Sequence, residues 1–311
     1  MKAKLNATPD TVHWGYFRGD LAPVLEVDDG DIVEIRTVSG GPEVLPDSDF
    51  TVSKDHRAIV ENVKKRVLPG HILTGPVAIK GLNAGDTLEI RIIDIRLDTD
   101  WGWNIIKPLA GTLPEDFPDY TLMHLGIDRD SNEVRLPWGK TLNAAPFFGV
   151  MGVAPPMVWG ELSSKEPRAF GGNMDLKELQ AGATLFLPTF QDGGLFSTGD
   201  GHAIQGDGEV CVTAVETGLI GTFSFHIRKD ISLTRPRAET DKDHITIGLD
   251  PDLDVAAKSA LRDMIDLIMA QTDLNREQAY SLCSMVCDLR ITQTVNGVKG
   301  VHAVLEKSHI R

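Results

Sequence analysis

A pattern that occurs twice in the first hundred residues constrains the fold more than any other feature of this chain. It reads DDGDIVEIR at 28–36 and NAGDTLEIR at 83–91, and apolar residues precede each copy. A glycine-containing turn followed by alternating apolar and polar residues is typical of β-hairpins. The sequence therefore predicts hairpins at 23–40 and 75–97, related as a weak internal repeat of a sandwich-type sheet. With 41% hydrophobic residues, the chain can bury the core that such a fold needs.

The last third of the chain has helical periodicity instead. Apolar residues recur at helical spacing through 250–271, and a second helix is predicted at 274–288. The VNGVKG sequence at 295–300 then predicts a turn between two strands. We expect an α+β protein whose N-terminal half is dominated by strands.

Composition excludes some partners and favours a compartment. The net charge of −14 argues against nucleic acid, whose binding proteins carry basic patches. No window of 18 apolar residues occurs, so no membrane span is expected, and the first residues lack the apolar core of a signal peptide. The three cysteines are an odd number, and two of them lie four apart on a predicted helix. This usage favours reduced thiols and a cytoplasmic location.

The segment TGDGHAIQGDGEVC at 198–211 is the richest in chemistry. Its acidic and imidazole side chains are those of Asp200, His202, Asp207 and Glu209, with no lysine or arginine among them. We expect a glycine-rich loop that leads into a strand at 209–216. Such a loop could aim oxygen and nitrogen ligands at one cation, or it could be a solvated polar turn.

Two further places could contribute to a site. FGGNMD at 170–175 places Asn173 and Asp175 behind a glycine pair, where they could supply a ligand, a base or an oxyanion donor. The alternative is an aspartate that caps the following turn. His13 and His71 lie beside turn residues at the edges of predicted strands. Each could be a ligand or an acid–base group, or a hydrogen-bonded structural histidine.

The common nucleophile motifs are absent from the sequence. It has no G-x-S-x-G elbow, no H-E-x-x-H and no phosphate-binding loop. Cys211 lies between two valines in a predicted strand, which favours a buried and inert thiol. If the chain is an enzyme, we expect it to use an activated water molecule.

Several segments together resemble the acetamidase/formamidase family, from about residue 12 to 305. They are VHWGYF, PGHILTGPVAIKGLNAGDTLEI, DWGWN, FGGNMD, GDGHAIQGDGEVCVTAVE and DLRITQTVNGVKGVHAVL. The resemblance implies a β-sandwich-like portion at 1–170 joined to a mixed α/β portion at 171–311, commonly as a homodimer. It also implies hydrolysis of the C–N bond of small amides, with some similar proteins acting on γ-lactams, and a divalent metal, zinc or calcium.

The loop chemistry and the resemblance combine into one hypothesis. A divalent metal, zinc rather than calcium, binds Asp200 and His202 with help from Glu209 or Asp175 and activates water. The remaining roles are oxyanion stabilisation by Asn173, proton transfer by Glu209 or Asp207, and further ligation or proton transfer by His13 or His71.

A long segment rich in aromatic residues is expected to wall the substrate pocket. The segment spans 98–160, and its aromatic residues include Trp101, Trp103, Phe147, Phe148 and Trp159. Trp103 and Phe148 are the predicted wall residues, together with His71, and ordinary core packing is the alternative. Two other functions stay open: a non-catalytic relative that binds a metal or small ligand, and a metal-free hydrolase with a carboxylate base.

Overall fold

The computed structural model describes residues 3–47 and 49–310 and is built mainly of short strands. The strands up to residue 163 are β1 (Ala3–Leu5), β2 (Val12–Trp14), β3 (Tyr16–Phe17), β4 (Leu25–Val27), β5 (Ile32–Arg36), β6 (Ile72–Ile79), β7 (Thr87–Leu97), β8 (Trp101–Ile106), β9 (Thr121–Asp128), β10 (Glu133–Arg135), β11 (Thr141–Asn143), β12 (Phe147–Gly152) and β13 (Leu162–Ser163). The later strands are β14 (Gly171–Asn173), β15 (Thr184–Pro188), β16 (Phe196–His202), β17 (Leu219–Arg228), β18 (Arg237–Glu239), β19 (Asp243–Asp250), β20 (Cys287–Gln293) and β21 (Lys299–Glu306). The α-helices are α1 (Lys54–Asn62), α2 (Leu253–Gln271) and α3 (Arg276–Val286).

Two large sheets form a sandwich. In the described part of the chain, nine strands form the larger sheet in the order β1-β5-β17-β7-β15-β18-β19-β21-β20. The smaller sheet has the order β14-β12-β16-β6-β2, with β4 also paired to β6. Aromatic rings from the two sheets meet between them: the Phe148 and Phe223 centroids are 5.5 Å apart, and those of Phe196 and Phe225 are 5.2 Å apart. These fully buried rings make the interface between the sheets a continuous apolar core.

The two copies of the turn pattern do not form hairpins, so that prediction was wrong. β4 pairs with β6 in the smaller sheet, whereas β5 pairs with β17 in the larger sheet. β6 and β7 are likewise divided between the two sheets. Both turns use a glycine with positive φ, Gly30 at 85° and Gly85 at 94°. In both copies, the chain passes at the turn from the smaller sheet to the larger sheet. The prediction failed because a tight glycine turn does not determine which sheet the next strand joins.

The C-terminal helices confirm the helical predictions. Asp252 caps α2 by accepting hydrogen bonds from the backbone amides of Asp254 and Val255. Asn275 begins α3 in a reciprocal capping box with Gln278. α2 packs on β19 and β21 and buries an apolar face there.

The predicted strand pair is confirmed as β20 and β21, which pair antiparallel on either side of the 295–300 turn. Of the helices in the described chain, α1 was not predicted, because it is short and its sequence, KDHRAIVEN, is largely polar. The fold is α+β, as predicted, with helices mainly in the C-terminal half. The division into portions at residue 170 stays a prediction. No helix in residues 3–47 or 49–310 is long and apolar enough to cross a membrane.

Candidate active site

A buried cluster of four carboxyl groups and one imidazole lies at the end of β16. Its members are Asp175, Asp200, His202, Glu209 and Glu216, and each is 7% exposed or less. His202 Nε2 lies 3.1 Å from Glu216 Oε1 and 3.4 Å from Asp200 Oδ2. Two triads of side chains could each hold a metal ion: Asp175–Asp200–His202 and His202–Glu209–Glu216. Within each triad, one ligand atom from every residue lies within 4.8 Å of the others. Acidic side chains this close and this buried need a cation or shared protons.

The backbone is held in an uncommon conformation at three of these positions. Asp175, Asp200 and Glu209 have φ values of 52°, 57° and 44°. The left-handed region costs a non-glycine residue on the order of 1–3 kcal/mol, and such strain concentrates at functional sites. The surrounding sheets therefore hold these carboxylates in place against a local backbone preference.

The segment at 209–216 is an irregular loop, so the predicted strand there was wrong. β17 begins only at residue 219, Val210 is 61% exposed and Val212 has a φ of 89°. Cys211 is half-buried in this loop rather than enclosed in a strand. Val210 and Val212, two of the β-branched residues that favour a strand, lie outside any sheet. The loop instead delivers Glu209 and Glu216 to the cluster from its two ends.

Burial and mutual repulsion shift the titration of the acids. Burial, followed by the charge of Asp200, raises the pKa of Asp175 to about 6. Burial also raises the pKa of Glu216 to about 7 and that of Glu209 well above its ordinary value. Burial alone would raise the pKa of Asp200, but the charges of His71 and His202 hold it below its ordinary range.

The pKa of His202 is shifted in the direction opposite to the effect of burial. Burial would lower its pKa, but Glu216 and Asp200 raise it well above 6.5. The carboxyl groups around His202 thus favour its charged form.

Polar atoms of the cluster lack hydrogen-bond partners within the described chain. They are Asn173 Oδ1, Asp175 Oδ1, Glu209 Oε2 and both ring nitrogens of His202. Buried polar atoms without partners are rare in native proteins. Several of them close together indicate a site that binds a ligand.

Three side chains of the cluster pack closely against the backbone of Gly149, which has no side chain to keep them away. A Cβ at this position would lie 2.4 Å from Asp175 Oδ1, 2.5 Å from Asp200 Oδ2 and 2.8 Å from His202 Cε1. The Gly149 carbonyl also accepts hydrogen bonds from the amides of Met174 and Asp175, which fastens the 171–175 turn beside β12. The set of closely spaced oxygen and nitrogen atoms fits a divalent cation, which oxygen and imidazole ligands bind well.

Asn296 orients Asp175 from the 295–300 turn. Its Nδ2 donates to Asp175 Oδ2 at 2.6 Å, and both side chains are buried. This bond occupies one carboxylate oxygen and leaves Oδ1 for the centre of the cluster. Asn296, Glu216 and Gly149 were not among the predicted site residues. In the sequence, the asparagine-glycine pair at 296–297 predicts only a turn, and nothing local distinguishes Glu216 or Gly149.

A cavity of about 710 Å³ opens onto the cluster. Its lining includes His71, Trp103, Asn173, Asp200, Glu209 and Glu216. His71 Nδ1 is 3.0 Å from Ser164 Oγ, and its Nε2 is 3.8 Å from Asp200 Oδ2. The structure thus brings together most of the predicted residues at one solvent-reachable place.

Other predicted residues lie elsewhere. Asp207 is exposed and forms an ion pair of 2.7 Å with Lys177, away from the buried cluster. Phe148 is fully buried and packs on Phe223 between the sheets. We therefore assign Phe148 to the core.

His13 has both ring nitrogens occupied within the protein. Nδ1 donates to the Tyr16 carbonyl at 2.6 Å, and Nε2 accepts from the Ser197 hydroxyl at 2.9 Å. These bonds leave no lone pair for a metal and give its predicted ligand role no support. Burial lowers the pKa of His13 from 6.5 to about 4.

We expect His13 to make stability pH-dependent. The unfolded chain takes up a proton near pH 6.5, but the folded protein resists it down to about pH 4. The contribution of neutral His13 to the free energy of unfolding is therefore fully present above pH 6.5 and is lost as the pH falls. The free energy of unfolding should decrease by about 2 kcal/mol between pH 7 and pH 5 on account of this group. Urea unfolding of wild type and His13→Gln at both pH values measures it. An equal stability difference between the two proteins at pH 7 and pH 5 would contradict the assignment.

Comparison with known proteins decides the family. The model of the acetamidase/formamidase family matches residues 2–163 and 162–305. The chain belongs to this family. This confirms the resemblance seen in the sequence segments, and the acidic cluster of this family member lies within the matched residues.

Family relatives carry amidase names. A formamidase of Methylophilus methylotrophus is 26% identical over 238 residues, covering 56% of this chain and 58% of that protein. An acetamidase of Mycolicibacterium smegmatis is 28% identical over 218 residues, covering 51% and 53%. The chain thus spans about half the length of the curated relatives it matches.

Solved structures in the family match the whole fold. An acetamidase of Bacillus halodurans superposes with a TM-score of 0.85 at 28% identity, covering 98% of both chains. A recombinant predicted acetamidase/formamidase of Thermoanaerobacter tengcongensis gives 0.86 at 27% identity, covering 99% of this chain and 96% of that one. A γ-lactamase of Delftia acidovorans gives 0.64 at 21% identity over 97% and 90% of the two chains, and it shares the fold alone.

Proposed function

We propose that this family member hydrolyses small linear amides to a carboxylate and ammonia at the buried acidic cluster. The observation that carries the proposal is the set of buried oxygen and nitrogen atoms without hydrogen-bond partners in this cluster, which opens onto the cavity. The amidase names of its relatives supply the reaction class. A fold alone would not, because one fold can support many reactions.

His202, Asp200 and Asp175 are the residues we assign to a divalent metal. These three side chains pack together against Gly149, and Glu209 and Glu216 complete the set of ligand atoms. The imidazole favours zinc over calcium, because calcium takes oxygen ligands whereas zinc accepts nitrogen as well. When bound, the metal would act as a Lewis acid that polarises the amide carbonyl and lowers the pKa of water.

Glu209 is positioned to move a proton. Its Oε2 is buried without a partner among the described residues, and the side chain lines the cavity. Release of the amide anion NH2− is unfavourable, so the leaving nitrogen must be protonated before the C–N bond breaks. We assign this proton transfer to Glu209 Oε2. Asp207 is less suited to it, because it is ion-paired outside the cluster.

Asn173 is suited to bind the amide rather than the oxyanion. Its Nδ2 already donates to the Lys165 carbonyl at 3.0 Å, whereas Oδ1 is buried and unpartnered within residues 3–47 and 49–310. An acceptor in this position fits the N–H groups of a primary amide. Trp103 lines the same cavity and provides an apolar wall beside the reacting group.

The test is ammonia release from a panel of amides. Purified protein should release ammonia from formamide, acetamide or propanamide, with a larger kcat/KM for at least one of these linear amides than for a γ-lactam. A γ-lactam ring should be opened more slowly, as measured by release of a primary amine. If no member of the panel is hydrolysed with zinc or calcium added, the proposal is wrong.

We also propose a cytoplasmic homodimer. The edge strand β20 exposes Leu289 by 49% and Ile291 by 46%, and such an edge can pair with a second copy. Free Cys211, Cys283 and Cys287 fit a reducing compartment. Light scattering at micromolar concentration, with Ile291→Lys as the variant, tests the dimer.

A further inference from the structure

Two lysines without acidic partners line the cavity that leads to the cluster. They are Lys107 and Lys165, both half-buried. In the part of the chain that the structure describes, no carboxylate lies within ion-pair distance of either ammonium group. Unpaired lysines elsewhere, such as Lys140 and Lys229, are exposed, so water solvates them. A half-enclosed ammonium group is less well solvated and gains from an anion supplied by a ligand.

The backbone around Lys165 connects it to two other residues that line the cavity. Its carbonyl accepts the hydrogen bond from Asn173 Nδ2 at 3.0 Å. The preceding residue, Ser164, accepts from the His71 amide at 3.0 Å and contacts the His71 ring. Lys165 thus follows directly on the residues that connect the cavity wall to the cluster.

Lys107 lines the same cavity. It follows β8, the strand that carries Trp103, and its carbonyl accepts from the Ala110 amide at 3.3 Å. Beyond it, Leu109 is 91% exposed at the rim. The acid at this rim is Glu43, which is exposed and therefore screened by water.

The size of the cavity argues in the same direction. A volume of about 710 Å³ is in the range that encloses ligands of drug size. Acetamide, with two carbon atoms, would leave most of that space to water. A longer acyl chain would extend from the cluster along the wall that carries the lysines.

We infer that the preferred substrate is a primary amide whose acyl chain ends in a carboxylate, which Lys107 and Lys165 bind. This inference rests on the proposed amide hydrolysis and specifies its substrate class. The reaction is unchanged: water adds to the amide carbon, the C–N bond breaks, and the products are ammonia and a dicarboxylate. The lysines are specificity residues in this scheme and do not touch the reacting bond.

The experiment compares matched amides. Malonamate, succinamate and glutaramate are measured by ammonia release beside acetamide, propanamide and butanamide. We expect wild type to show a kcat/KM for one carboxylated amide at least about tenfold above that of its neutral partner, the worth of a hydrogen bond to a charged group. Lys107→Met and Lys165→Met should each lower this ratio by about tenfold, since methionine keeps the length of the stem and removes the charge.

Lys140→Met is the matched control. Lys140 is exposed near the turn between β10 and β11 and does not line the cavity, so the ratio should stay within about twofold of wild type. A wild type that hydrolyses the neutral amides equally well or better overturns the inference and leaves the proposed function intact. So do lysine variants that lower both rates together with an unchanged ratio. If no amide of either series is hydrolysed, the proposed function and this inference fail together.

Discussion

Replacing His202 with alanine should abolish ammonia release from amides. The imidazole is fully buried, both ring nitrogens are free of hydrogen bonds to the described residues, and Asp200 and Glu216 lie within 3.4 Å of Nε2. Without it, the carboxylates lose the nitrogen ligand that we propose for the metal. A Lewis acid contributes several kcal/mol to transition-state stabilisation, so kcat/KM should fall by about a thousandfold or more.

His226→Ala is the control for this change. His226 lies on β17, is half-buried and contacts Ser224 rather than the cluster. Its replacement should leave kcat/KM within about twofold. His202→Gln, which keeps a polar side chain of similar size, should be as inactive as His202→Ala. If either His202 variant stays folded by circular dichroism and retains wild-type activity, the site is wrong.

Adding a single methyl group at Gly149 should have an effect of comparable size. The Cβ of Gly149→Ala would lie within 2.8 Å of atoms of Asp175, Asp200 and His202, so at least one of them must move. Indirect disturbance of a metal ligand costs about 10–100-fold in affinity, and direct displacement should cost at least about a hundredfold. Zinc affinity, measured by competition with a chelator, and kcat/KM should fall together.

Gly206→Ala provides a matched control in the neighbouring loop. A Cβ at Gly206 would contact no atom within 4 Å, and its φ is not positive. Its zinc affinity and activity should stay within about twofold of wild type. If Gly149→Ala binds zinc as tightly as Gly206→Ala does, the side chains packed against Gly149 are not the zinc ligands.

Much of the fold could be predicted, because local sequence controls local elements. The apolar spacing at 250–271 defined α2, and Asn296-Gly297 defined the turn before β21. Strand partners could not be predicted in the same way. The turns at Gly30 and Gly85 have the same chemistry as a hairpin turn, and only packing of the complete sandwich sends β5 and β7 to the other sheet.

The residues of the candidate site likewise differ in whether the local sequence could predict them. Asp200 and His202 could be predicted because both lie on one short segment, where two-residue spacing places side chains on one face. Glu216 and Asn296 reach the cluster through a loop and a distant turn, so no spacing in the sequence relates them to Asp200. Val210 and Val212 misled the prediction, because β-branched residues favour strands only where a sheet accepts them.

Metal content and ammonia release, measured on one preparation, test the central claim most directly. Protein stripped of metal by a chelator is titrated with zinc, and bound zinc and the rate on the best amide are followed together. We predict that the rate rises in proportion to bound zinc up to one equivalent per chain, and that His202→Ala neither binds that zinc nor gains activity. Metal-free protein with the full rate would contradict the account.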